Sequence, residues 1–169
     1  MADQSVNLAT KIASDPTAGK IEVLSAEQRA HTGFTHRFQI NASAINNADW
    51  TTDGDTVTVT LGSTPANWLA DKAACLVRTA FATDGTLTLQ VGTDGDPDNF
   101  VDAQDAKTAG VILADTSATV KTEAGSADDA SDTLVARFTT QGATGAPADI
   151  TAGSVEIFLA IRDLGSLIA

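Results

Sequence analysis

The chain has 169 residues and a mass of 17.3 kDa, and its 22 acidic side chains outnumber 10 basic ones for a formal charge of -12. That length suits one domain, and surface scaling leaves roughly 8,000 Å² accessible of about 25,000 Å² in the extended chain, enough burial for a core without staples. The net charge repels phosphate and argues against sequence-independent binding to DNA or RNA, while the lone Cys75 excludes an intramolecular disulfide framework and a Cys-rich zinc site.

In chain order, the start Met1-Ala2-Asp3-Gln4-Ser5 lacks the basic stretch and apolar run of a secretory signal, and the apolar runs fall far short of the roughly 20 residues that cross a bilayer. The expectation is a protein soluble as made, with no membrane partner. Residues 1–30 show weak periodicity around an Asp15-Pro16-Thr17-Ala18-Gly19 turn and a short strand at Ile21 to Leu24. They read as a partly extended N-terminal arm, either fraying or docking on a neighbouring subunit, ahead of a single domain over 31–169.

From Phe34 the pattern sharpens. Phe34, His36, Phe38 and Ile40 alternate with Thr35, Arg37 and Gln39, as in a half-buried strand. After a polar loop with Asn46-Asn47 and Asp53-Gly54, Val57, Val59 and Leu61 alternate with threonines, a β-branched pattern that favours extended backbone. A run of strand character over Cys75 to Ala82 leads into Asp84-Gly85, a hairpin-turn signal, and then into a strand with Leu87, Leu89 and Val91 on one face.

Asp96 then stands where it would cap a helix, with Pro97 at the first helical position, so a short helix is predicted over residues 97–107. A short strand at 118–122 and two longer ones, Leu134 to Thr139 and Val155 to Arg162, complete the pattern, separated by long loops at 123–132 and 141–153. Seven to nine strands without intervening helix-length segments predict an all-β fold. The expected architecture is an antiparallel β-sandwich or jelly-roll-like barrel with the one short helix.

Catalytic patterns are scarce. His31 and His36 stand five apart in a strand and its lead-in, unlike the helical pair of a zinc protease, and His36 reads as a strand residue packing on a neighbour. Cys75, at the start of an apolar run, reads as a buried inert thiol. There is no nucleophile elbow, phosphate loop or dinucleotide fingerprint. These residues predict neither an enzyme nor a bound cofactor.

Asp94, Asp96 and Asp98 alternate in a way that could converge on calcium, but Asn99 and Asp105 stand where a helix-loop-helix calcium site needs glycine and glutamate. They remain weak candidates beside the capped-helix reading. Trp50 and Trp68 could stack on sugar rings or nucleobases, although isolated tryptophans more often fill cores or subunit contacts. The candidate interface anchors are Phe34, Phe38, Trp50, Trp68 and Phe158, chosen because aromatic residues concentrate at interface centres; each has plain core as its alternative.

The stretch from Thr56 to Gly110 resembles a group of small virion proteins of tailed bacteriophages. The matching features are the threonine-valine strand with Leu61-Gly62, the Pro65-Ala66 turn, Thr79-Ala80-Phe81, Gly85 through Gly92, Asp96-Pro97-Asp98-Asn99-Phe100 and Thr108-Ala109-Gly110. The end of the chain, Gly153-Ser154-Val155-Glu156-Ile157-Phe158 with Asp163-Leu164, looks like that group's last strand. About half the chain is covered, and it departs from the group in its first 30 residues and its two late loops.

The resemblance implies a head decoration (cement) protein or other structural component, built as a β-sandwich or jelly-roll subunit and often trimeric. It further implies self-association as a homotrimer, the major capsid protein as partner, synthesis in the host cytoplasm and residence on the capsid surface, with no direct nucleic-acid contact. Alternative readings are a virion fibre or receptor- and glycan-binding domain, a head–tail connector or tail subunit, and a calcium-dependent hydrolase.

Overall fold

The computed structural model describes residues 3–46, 54–113, 131–141 and 150–163. They form two five-stranded sheets packed face to face. The first contains β1 (Asp3–Asn7), β4 (Thr56–Ser63), β6 (Thr86–Thr93), β7 (Asp96–Asp105) and β9 (Thr133–Gln141), in the spatial order β1-β4-β9-β6-β7. The second contains β2 (Gly19–Val23), β3 (His36–Asn41), β5 (Trp68–Ala82), β8 (Gly110–Leu113) and β10 (Ala152–Asp163), in the order β2-β3-β10-β5-β8. Neighbouring strands are antiparallel except for the parallel pair β1 and β4.

Period-two patterning explains the layers. Val57, Val59 and Leu61 of β4, Leu87, Leu89 and Val91 of β6, and Leu134, Ala136 and Phe138 of β9 supply one half of the core. Cys75, Val77 and Phe81 of β5 and Val155, Ile157 and Leu159 of β10 supply the other. Two aromatic pairs join the layers edge-on: Phe81 with Phe138 at 5.6 Å and Trp68 with Phe100 at 5.9 Å. Such tilted geometry sets the positive ring edge against the negative face.

Residues 3–30, read above as an arm, contribute an edge strand to each sheet, and Leu8 and Ala18 are buried in the core. Between these strands lies α1 (Leu8–Ser14), whose first turn is capped by the Asn7 side chain accepting from the Thr10 amide at 3.0 Å. α2 (Ala26–Thr32) carries a reciprocal capping box between Ser25 and Gln28 and ends at Gly33, whose left-handed φ of 76° suits a residue without a Cβ. α3 (Ala42–Ile45) is a single turn leading out of β3.

The helix predicted over 97–107 is corrected: Asp96–Asp105 is strand β7. An isolated short helix must meet its nucleation cost alone, whereas here the segment gains a ladder with β6 and buries Phe100 and Val101. Gly92 makes this approach possible, since a Cβ there would lie 2.2 Å from the Asp96 carbonyl oxygen. Asp84-Gly85 is also corrected, because its flanking strands do not pair: β5 belongs to one sheet and β6 to the other. The turn is a corner of the sandwich, where Lys107 Nζ donates to the Thr83 and Gly85 carbonyls.

Four strands stand at sheet edges among the described residues, β1 and β7 in one sheet and β2 and β8 in the other. The arrangement is therefore an open two-layer sandwich, and no closed barrel forms among the described residues. The expected strand at 118–122 and most of both late loops lie outside the described residues.

Candidate functional site

The outer face of the second sheet carries the chain's most concentrated polar constellation among the described residues. Register places Glu22 of β2 opposite Arg37 of β3, and Arg37 opposite Phe158 of β10. Glu156 lies two residues from Phe158, so period two sets both on this face. On the other side of β10, Arg78 is the extra residue of a bulge in β5, between the pairs Val77–Val155 and Thr79–Ser154.

Glu156 is the hub. Its side chain is only 5% exposed, and Arg37 Nη2 donates to its Oε1. Arg78 donates to Oε2 through Nε at 2.9 Å and Nη2 at 2.8 Å, and the second amine of Arg37, Nη1, donates to Glu22 Oε2 at 3.2 Å. Burial alone would push the Glu156 carboxyl up, but the bonds from Arg78 and Arg37 outweigh it and hold the group below its ordinary value. The Glu156 bond in turn raises the Arg37 guanidinium against the opposing effect of burial.

The cluster floors a surface pocket of about 200 Å³. Leu24 and the Gln28 and Thr32 side chains of α2 form one wall, and Phe158 forms another. Phe34 stands against Phe158 with ring centroids 5.7 Å apart. The capping box orients Gln28 by drawing its Oε1 onto the Ser25 amide at 2.8 Å. Among the described residues Arg37 Nε is buried without a hydrogen-bond partner, a state that costs about 1–3 kcal/mol for an unsatisfied donor.

The structure separates the candidate anchors. Phe34 and Phe158 sit together, partly exposed, and Phe158 lines the pocket. Phe38 and Trp68 are core residues, 3% and 2% exposed. Trp50 lies outside the described residues. The polar members Arg37, Arg78 and Glu156 were not singled out from the sequence. Their one signal is an outward acid within the last strand and an outward arginine in each of two others, and nothing local says that these strands are neighbours.

Asp94, Asp96 and Asp98 lie at the β6–β7 turn and the start of β7. Among the described residues, no three acidic, histidine or cysteine side chains are grouped to hold a metal ion. The Asp98 carboxyl is pushed up, first by a hydrogen bond with Asp96, so the two acids interact directly. Cys75 is fully buried and its thiol is pushed up to about 12 by desolvation, while half-buried His36 stacks on Phe38 with centroids 6.1 Å apart. His36 Nδ1 lies 2.7 Å from Thr35 Oγ1.

No protein-family model matches the chain. No curated protein matches it either. Among solved structures, a chain of "Capsid of Ralstonia phage GP4" shows weak structural similarity, with a TM-score of 0.41 and 22% identity over 73% of this chain and 80% of that one.

Proposed function

We propose that this protein is a structural component of a tailed-bacteriophage virion, and specifically a capsid decoration (cement) protein that binds the assembled head as a homotrimer. The observation that carries the reading is the strand order. Setting aside the edge strands β1 and β2, the sheets run β3-β10-β5-β8 and β4-β9-β6-β7, the connectivity of a two-sheet jelly roll, an architecture used by viral capsid and lectin domains. The sequence resemblance from Thr56 to Gly110 supports the same reading.

The mechanism is binding spread over area, with no catalytic step. Trimers bridge junctions between major capsid protein subunits, and because they bind only the assembled shell, mass action stabilises that state. Surface features suit such a role: Ile21, Val23 and Val111 are exposed apolar residues on β2 and β8, the two edges of one sheet. Edge strands present unpaired backbone groups to which a partner strand can add. A net charge of -12 keeps subunits soluble before assembly.

Two measurements test this. Light scattering behind size-exclusion chromatography is expected to give about 52 kDa, three times 17.3 kDa. A mass of six or twelve subunits would instead support a connector ring. Purified protein added to undecorated heads is expected to co-sediment with them and raise their disruption temperature, whereas free capsid subunits leave it in the supernatant. Failure to bind heads overturns the decoration role.

A further inference from the structure

We infer that the pocket between α2 and the outer face of the second sheet is a receptor for a single acidic side chain, aspartate or glutamate, presented by a protein partner. Each guanidinium has five N–H donors, and the two together make four hydrogen bonds, one to Glu22 and three to Glu156. Both oxygens of Glu156 are engaged. Among the described residues the two guanidiniums therefore keep unused N–H donors, and those of the 56% exposed Arg78 are open to a ligand.

A planar carboxylate matches the fork geometry of arginine and makes charge-assisted bonds stronger than neutral ones. Arg78 is positioned to receive it. Its side chain is 56% exposed, and Nε and Nη2 are held on Glu156, so the guanidinium plane is fixed before a ligand arrives. Such preorganisation lowers the entropy lost on binding.

Size and lining narrow the ligand. About 200 Å³ falls below the roughly 300–1,000 Å³ of sites for drug-sized molecules, which suits one side chain. Leu24 and Phe158 offer apolar surface to its methylenes, and Phe34 extends that surface beyond Phe158. A bare inorganic anion would leave these walls uncovered. The inference does not depend on the capsid reading, and either can fail alone.

The test is a nuclear magnetic resonance titration of the full-length protein with N-acetyl-glutamate N-methylamide. The expected result is saturable shifts of the Arg37 and Arg78 side-chain Nε–Hε signals, with a Kd in the millimolar range expected of a lone contact. The glutamine counterpart, equal in shape and uncharged, is expected to produce none. Arg78→Gln is expected to weaken binding about tenfold, and its amide spectrum reports whether it folds; the glutamate–glutamine comparison needs no variant. Equal shifts with glutamine, or no saturation by about 100 mM, overturn the inference. So does inorganic phosphate binding as tightly as the glutamate probe, which would make the pocket a general anion site.

Discussion

Glu156 carries the largest single electrostatic role on the sheet surface. Its carboxyl sits below its ordinary value because two arginines bind it. A depressed carboxylate stabilises the fold above its unfolded pKa and loses that contribution as pH falls through the folded one. Stability should therefore fall as pH drops below the ordinary value of about 4.3, and in Glu156→Gln this acid limb should flatten in urea melts taken across pH. At pH 7, Glu156→Ala is expected to cost about 3 kcal/mol, the low end for a broken buried ion pair, because the half-exposed Arg78 can turn to water. By contrast, the Lys20–Glu22 pair is exposed on the lysine side, and its removal should change stability by less than about 1 kcal/mol. Cys75 belongs to the core: with its thiol pushed up to about 12, alkylation at neutral pH should occur only once the protein unfolds, as mass spectrometry across a denaturant series can check. Sequence position alone anticipated this buried thiol, because it opens an apolar run; it could not anticipate the arginine–glutamate cluster, whose members are 78 and 119 residues apart.

At the scale of elements, caps and close approaches matter most. α2 buries none of its own side chains, so its capping box is a main support, and Ser25→Ala should cost about 1 kcal/mol. Hydrogen exchange should show α2 amides opening well before those of β10, which pairs on both sides. Gly92→Ala should do far more harm, since its Cβ would meet backbone of β7; urea melts are expected to show a loss above about 2 kcal/mol. The strands predicted from Phe34, Thr56, Thr86, Leu134 and Val155 correspond to β3, β4, β6, β9 and β10, because alternation of apolar and polar residues is a local property. β7 was misread for a related reason: an Asp-Pro helix start is also a local signal, and pairing with β6 overrode it.

For the whole molecule, the aromatic inventory is thin, six phenylalanines and two tryptophans with no tyrosine, and of these Phe38, Trp68, Phe81, Phe100 and Phe138 lie in the core between the two sheets. Phe138 of the first sheet meets Phe81 of the second, so Phe138→Ala should remove contact between layers and cost about 3–5 kcal/mol in a denaturant melt. Much of the remaining core is alanine, valine and leucine, whose packing depends on close approach of the layers. Among the described residues, the open edges of both sheets and the exposed Val23 and Val111, each 66% accessible, leave surface for association. This is where the proposed trimer and its shell-binding role would act.

Period-two patterning, threonine–valine strands and the lack of helix-length spacers were enough to establish an all-β chain and the inward faces of most strands, since those follow from neighbours one and two residues away. Which strand lies beside which is a matter of pairing across the chain. The assignment of β5 and β6 to opposite sheets, the place of β1 and of the expected strand β2 at the sheet edges, and the meeting of Arg37, Arg78 and Glu156 depend on hydrogen-bonded ladders and burial between distant segments. Those energies exist only once the layers have packed, so local composition carries no trace of them.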